Sequence, residues 1–419
     1  MAWREPRKPF TYRITFQMMP SRRELLGGLS GVALIGTAGC LESSESQFSP
    51  GSDTTTDWPM PRHDPHNTAF TPDAVAPRTD VRERWATDIG SDISTPAIAD
   101  GIVFAPDAEG LLALDGDSGE ELWQFAPTQH PWPSPPAVHD GIVYVTTSDD
   151  DTVFAVDADT GDKLWSLTGA GHIHSPPHPI TGRLVSEPFV LVANDDGTVR
   201  ALDPANGDEH WQIDVFGAVR TMAFRSPRLY IGTVGGEVYA YSLNGTGEEP
   251  GERWRRKVGS QIEGIVPTDN GIVVSTFSGP LQNLQDGANA GINDWIATES
   301  HTGSPPVHAG SWVYSTGWDS LSSLRVYDKN RHWQVSADFD NAAPVAAGDT
   351  IYAPVKGDVH AFDLSGGVGV GGIRVGATRW THTIESGGIQ GLAVGDGALF
   401  VACESHNEDD STLVCLEPP

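Results

Sequence analysis

Eight tryptophans pace the chain: Trp85, Trp123, Trp165, Trp211, Trp254, Trp295, Trp333 and Trp380, separated by 38, 42, 46, 43, 41, 38 and 47 residues. Such a recurrence marks one supersecondary unit copied along the chain, each copy too small to bury its own apolar face and therefore stacked on its neighbours. Three copies share one local pattern, A-x-D-x-x-[STN]-G-x-x-x-W: Ala113 to Trp123, Ala155 to Trp165 and Ala201 to Trp211. Asp and Ser, Thr or Asn favour turns through side-chain bonds to the backbone, Gly supplies positive φ, and Trp offers a broad packing face. Upstream lie short alternating runs such as Gly101-Ile-Val-Phe-Ala105, Gly141-Ile-Val-Tyr-Val145 and Phe189-Val-Leu-Val-Ala193. Each unit reads as four short strands.

The expected fold is all-β, an eight-bladed β-propeller of four-stranded antiparallel blades. After Cys415 the chain runs only to Pro419, with no tryptophan, whereas Val81 to Asp88 holds Trp85 with no unit before it. An N-terminal strand is therefore expected to close the ring, removing edges that would template aggregation.

The repeated pattern resembles the tryptophan-docking repeat of the pyrroloquinoline-quinone (PQQ) type propellers. That family includes quinoprotein alcohol dehydrogenases and an eight-bladed lipoprotein of the bacterial outer-membrane assembly machine. Trp58-Pro-Met-Pro-Arg62-His-Asp64-Pro-His-Asn67-Thr68-Ala69 resembles the family's approach to the first blade. The resemblance spans about residues 58 to 419 and implies a fold more than a function. Departures are visible: Ser242 replaces Asp in the fourth unit, followed by an insertion from Asn244 to Glu252, and the fifth unit, Gly279 to Asp294, lacks the pattern. The sixth is shortened at Val326-Tyr327-Asp328, and the seventh carries a glycine-rich insert, Ser365 to Gly376, expected as an exposed loop. The family's quinone enzymes would carry adjacent cysteines, a calcium site and capping segments, but the cysteines here are Cys40, Cys403 and Cys415. The resemblance thus implies no catalytic residue and disfavours PQQ, with calcium left open.

Ahead of the repeats, Ser21-Arg22-Arg23-Glu24-Leu25-Leu26 opens an apolar run ending at Ala38. The run, about 15 residues, is too short to span a bilayer comfortably. Arg22 and Arg23 resemble the pair of a twin-arginine export signal, and Thr37-Ala38-Gly39-Cys40 resembles a lipobox whose Cys40 takes the lipid. Residues 1–39 are read as the signal, 1–17 lying before an alternative start at Met18 or Met19; residues 40–57 are a polar tether and 58–419 the propeller. The expected location is the outer face of the cytoplasmic membrane, with an ordinary cleaved signal as the alternative.

Within the propeller, Gly171-His172-Ile-His174-Ser-Pro-Pro-His178 places two imidazoles in a spacing used by metal ligands, although solvated loop histidines give the same pattern. The acidic runs Ser148 to Asp151 and Asn194 to Gly197 are oxygen-rich turns that read either as calcium loops or as plain hairpins. Cys403 and Cys415, on a hairpin centred near Asp409, read either as a disulfide or as two buried thiols. No metal site is assigned. The loops entering the inner strands carry unlike side chains, Asp92, Trp132, His172, His174, Arg220, Glu263, His301, Asn341 and Gln390. Collected on one face, such a mixture of aromatic, basic and acidic groups suits a specific partner, since aromatic and Arg groups dominate binding energy; drift among unconstrained loops is the alternative.

Two functions follow from different classes: a cell-surface scaffold binding an unidentified protein, or an exported quinone- or metal-dependent oxidoreductase or ligand sensor. The net charge of −30, with only 5 Lys among 26 basic residues, excludes nucleic acid and anionic lipid headgroups as partners. Membrane contact is expected through the lipid alone, and the protein is expected to be a monomer. Residues 1–39 hold six of the basic groups and two of the acidic ones, so without them 20 face 54, a charge of −34. This acidic, lysine-poor composition resembles that of proteins from salt-loving archaea, where high ionic strength screens self-repulsion. The melting temperature of the mature protein should therefore rise with salt from low to multimolar concentration; a melting curve indifferent to salt contradicts this reading.

Overall fold

Short apolar runs broken by Asp-Gly and Pro-containing turns leave the chain little choice but antiparallel hairpins. The computed structural model describes residues 48–419 apart from 128–133, 148–150, 174, 182–184, 186, 244–247, 371–372, 386 and 406–410. Among the described residues there is no α-helix. Blade 1 runs outward from the axis through Ala97–Ala99, Ile102–Asp107, Gly110–Asp115 and Glu121–Phe125, here called strands a to d. Strand a of blades 2 to 8 is Ala137–His139, His178–Ile180, Val219–Arg225, Ile262–Thr268, Val307–Ala309, Val345–Ala347 and Gly387–Gly395. The d-to-a loops and b–c turns share one face, the loop face; the a–b and c–d turns share the other, the turn face.

Blade 8 takes its outer strand from the N-terminal side, as expected. Arg82–Ile89 pairs antiparallel with Ser411–Glu417, Trp85 opposite Cys415. Arg78 anchors the approach by donating to both carboxylate oxygens of Asp349, which also accepts from Arg379 at 2.6 Å. Although burial opposes ionisation, these two guanidiniums hold Asp349 down at about 2.

Register explains the recurring small residue. Tyr144, Ala155 and Trp165 lie opposite one another on strands b, c and d of blade 2, as do Phe104, Ala113 and Trp123 in blade 1 and Phe400, Cys415 and Trp85 in blade 8. A small side chain on strand c lets the flanking rings approach across it, to 6.1, 5.9 and 5.9 Å between centroids. Cys415 is thus the counterpart of the repeat's alanine, and burial pushes its thiol up to about 12. Cys403 pairs with Thr412, three residues from Cys415. An odd offset turns side chains to opposite faces of the sheet, so no disulfide joins the two buried thiols. The glycine-rich insert of blade 7 also departs from expectation. It forms a hairpin, Val368–Val370 against Ile373–Val375, rather than a plain loop.

Neighbouring blades are joined through the tryptophans. The indole N–H donates to the next blade's c–d turn: Trp85 to Gly116 O at 3.0 Å, Trp123 to Ala158 O at 3.0 Å, Trp165 to Pro204 O at 2.9 Å, Trp295 to Val326 O at 2.6 Å and Trp333 to Leu364 O at 3.0 Å. In blade 5, where the pattern is lost, the Asp286 carboxylate accepts from Trp254 instead, at 2.7 Å. Trp380 reaches Pro77 O at 3.0 Å, so the N-terminal segment stands in for the missing turn of blade 8. Trp211 packs with Tyr241 and Leu243 of blade 4; the turn beyond runs into residues 244–247.

The inner strands are open edges facing the axis, and their amides need partners. Residues 58–71 supply them. Carbonyls of Trp58, Pro59, Pro65, Thr68 and Ala69 accept from the amides of Ile98, Val138, Phe224, His308 and Ala346, one on each of five inner strands. Arg62 donates to Pro306 O and Pro344 O at 2.6 and 3.1 Å, and Asn67 to Met222 O and Ile265 O at 2.7 and 3.2 Å. His178 lies 3.0 Å from Pro65 O, and burial pulls its imidazole down to about 4. The segment first read as an approach to blade 1 is an axial plug.

Glycine in the c–d turn serves twice. Gly161 has φ of +75°, and a Cβ there would come within 2.8 Å of the Trp123 ring lying on it. Gly161→Ala should destabilise the fold by about 2 kcal/mol through left-handed strain and loss of the stack. Denaturant unfolding checks this; an unchanged midpoint would show that the stacked turn adds nothing to blade cohesion.

Candidate functional site

The plug fills the axis from the turn-face side, so the loop face is where variable side chains gather. It draws on two sets of segments, the d-to-a loops and the b–c turns. Of the residues expected there from sequence, Trp132 and His174 lie outside the described residues. Asp92 is exposed at φ of +59° in the loop entering blade 1. His172 enters blade 3 with Nδ1 3.8 Å from Asp151, while His178 lies on the inner strand against the plug. Arg220 and Glu263, on adjacent blades, form an ion pair at 3.4 Å, and Gln261 donates to the other carboxylate oxygen at 2.9 Å. His301 closes the outer strand of blade 5 opposite Pro280. Asn341 and Gln390 line one open cleft of about 870 Å³ on blades 6 to 8, with Trp318, Phe339, Ile384 and Ile389 as its apolar surface.

The structure therefore unites Arg220 with Glu263 and Asn341 with Gln390, and leaves the other described positions apart. The Asn194 to Gly197 turn is built as a hairpin: Asn194 Oδ1 accepts from Thr198 N at 2.9 Å and its amide donates to Ala170 O at 2.9 Å. Its partner run, Ser148 to Asp150, lies outside the described residues. Among the described residues, no three His, Cys, Asp or Glu side chains are grouped as a metal site.

Three exposed residues on b–c turns were not expected from sequence, where only the acidic runs of such turns stood out. Val234, Phe277 and Trp318 sit on the turns of blades 4, 5 and 6 and are 44, 52 and 49% exposed. Phe216, in the loop entering blade 4, is 80% exposed. Exposed apolar side chains scattered singly need no explanation, but Phe216 and Val234 at blade 4, Phe277 at blade 5 and Trp318 at blade 6 recur on one face, which makes that face the candidate interaction surface. A turn needs Gly or Asp, not Phe or Trp. The signal available in sequence was an aromatic at the tip of a hairpin.

The chain matches the family model of the outer membrane protein assembly factor BamB over residues 73–245 and 195–371. No curated protein sequence matches it. Among solved structures it is similar to BamB from Moraxella catarrhalis, at TM-score 0.59 and 18% identity over 81% of this chain and 98% of that one. The computationally designed Ika8 protein aligns at TM-score 0.61 and 16% identity, over 79% and 99% of the two chains. A europium-containing methanol dehydrogenase aligns at TM-score 0.65 and 13% identity, over 87% and 98%. These identities speak for the fold alone.

Because Phe277 and Trp318 project from turns, replacing both by Ser should change the unfolding free energy by no more than about 0.5 kcal/mol. A large loss in chemical denaturation would make them structural and remove the patch as a binding surface.

Proposed function

The chain belongs to the family of the outer membrane protein assembly factor BamB, and on that premise we propose that it is an exported, lipid-anchored scaffold that binds another protein through its loop face. The observation carrying this reading is the run of exposed Phe216, Val234, Phe277 and Trp318 on one face. Fold alone does not imply function, so the weight rests on that surface.

Anchor and binding face take opposite ends. Residues 48–57 run along the turn face: Ser52 and Asp53 donate to Asp73 O, and Thr56 O accepts from Asp396 N in the a–b turn of blade 8. A lipid on Cys40 at the far end of residues 41–47 tethers the turn face to the membrane and leaves the loop face directed outward. On this reading the protein works on the outer face of the cytoplasmic membrane, after export through the signal carrying Arg22 and Arg23.

The cysteines Cys40, Cys403 and Cys415 are not adjacent, so the vicinal pair of the family's quinone enzymes is lacking, which supports the scaffold reading over the quinone one.

Cys40→Ser should move the protein from the membrane fraction to the medium, and Arg22→Lys with Arg23→Lys should retain precursor inside. Membrane retention of the Cys40→Ser protein overturns the anchor. One lipid chain binds only marginally, so stable retention in the parent implies a double chain.

A further inference from the structure

We infer that the partner's docking surface is a cationic amphipathic polypeptide segment, with apolar side chains that seat on blades 4 to 6 and lysines or arginines beside them; this rests on the scaffold reading. The b–c turns divide the loop face by chemistry. Those of blades 4 and 5, Val234-Gly-Gly and Phe277-Ser-Gly, carry no charge, and that of blade 6, Gly317-Trp318-Asp319, sets one acid beside the indole. On one side of this apolar arc stands Asp196 of blade 3, and across the axis stand Asp92 and Glu109 of blade 1, all exposed. On the other side, Asp340 and Asp358 line the cleft that Trp318 also lines, where Asp338 is paired with Lys356.

Among the described residues, three Lys and Arg side chains of this face are already matched. Arg220 faces Glu263 at 3.4 Å, Lys257 faces Glu237 at 3.1 Å and Lys356 faces Asp338 at 2.7 Å. An acidic surface bracketing an apolar one attracts the opposite sign and repels its own. An anionic bilayer is repelled, and so is a second copy of a chain at −34. A polypeptide with a hydrophobic ridge and basic flanks satisfies both parts: the ridge supplies affinity on the exposed rings, and the charges set register and encounter rate.

The test uses three labelled 14-residue peptides with the mature protein: alternating Phe and Lys, alternating Phe and Glu, and alternating Ser and Lys. Fluorescence anisotropy in 0.5 M and 2 M KCl should show the Phe/Lys peptide binding at least tenfold more tightly than either control. Phe277→Ser with Trp318→Ser should weaken it at least tenfold, Glu109→Gln with Asp196→Asn about threefold and more at the lower salt, and Tyr327→Ser on the turn face not at all. Circular dichroism melts establish that each variant is folded. Equal binding of all three peptides, or indifference to the Phe277 and Trp318 changes, overturns the inference. Photocrosslinking from position 277 to a partner surface lacking Lys and Arg overturns the cationic assignment while leaving the scaffold standing. Crosslinks confined to the turn face overturn both. Self-association in sedimentation, abolished by Trp318→Ser, replaces the polypeptide partner with a second copy.

Discussion

Cohesion between blades depends on one contact: an indole ring laid flat on the glycine of the next blade's turn, its N–H directed at a carbonyl of that turn. Each hydrogen bond of this kind contributes about 1 kcal/mol net, but its value lies in repetition. The ring fixes both spacing and rotation between blades, and its recurrence, with local substitutes at Asp286 and Pro77, brings the chain back to its start. The rest of the repeat serves this contact. Asp115 and Asp157 accept turn amides at 2.8 and 2.9 Å, and those bonds hold both carboxyls below the usual range. The turn so fixed offers its glycine face and its carbonyl to the incoming ring. Blade 5 shows what the contact requires and what it does not: the turn pattern has gone, yet Asp286 supplies an acceptor and the indole still docks.

A ring of inner strands creates a second requirement. Eight edges facing one axis leave amides that water alone would have to satisfy in a narrow channel. The plug answers with backbone carbonyls, and its own shape is held locally: Asp64 accepts from the amides of His66 and Thr68 at 3.0 Å each and from the Thr68 hydroxyl at 2.6 Å. Burial opposes charge on Asp64, but hydrogen bonds from His63 and Thr68 keep its carboxyl below the ordinary range. With one end of the axis filled and with c–d turns bound to the Trp contact, the turn face has little freedom to vary. The loop face bears no such duty, and it is where Phe216, Phe277 and Trp318 are exposed.

The fold was legible because its governing contact uses a rare residue at a regular interval. Trp85 without a preceding unit, and a last unit without a tryptophan, pointed to the closing strand by elimination. Cys415 could be placed in the alanine position because the repeat specifies side-chain size there. The plug was not legible as such, since its partners are main-chain amides and a carbonyl leaves no mark on sequence. Register failed for Cys403 and Cys415 because hairpin centres in a loop of uncertain length cannot be counted to one residue. The insert of blade 7 hid a hairpin because glycine reads as loop by composition, while Val368, Val370, Ile373 and Val375 alternate as strands. On the loop face, attention to the segments entering inner strands found Arg220 with Glu263 and Asn341 with Gln390, and overlooked the aromatic turn tips between strands b and c.

The closing strand also sets the order in which the molecule can be completed. Ala155 and Trp165 meet across ten residues of chain, whereas Trp85 and Cys415 meet across about 330. Joining ends that far apart costs roughly 3 kcal/mol more in chain entropy than the local pairing, so the local hairpins are favoured first and the long closure last. Blade 8 therefore needs both Arg82–Ile89 and the strands from Gly387 to Glu417 before it exists at all, so damage at either place unmakes the same blade.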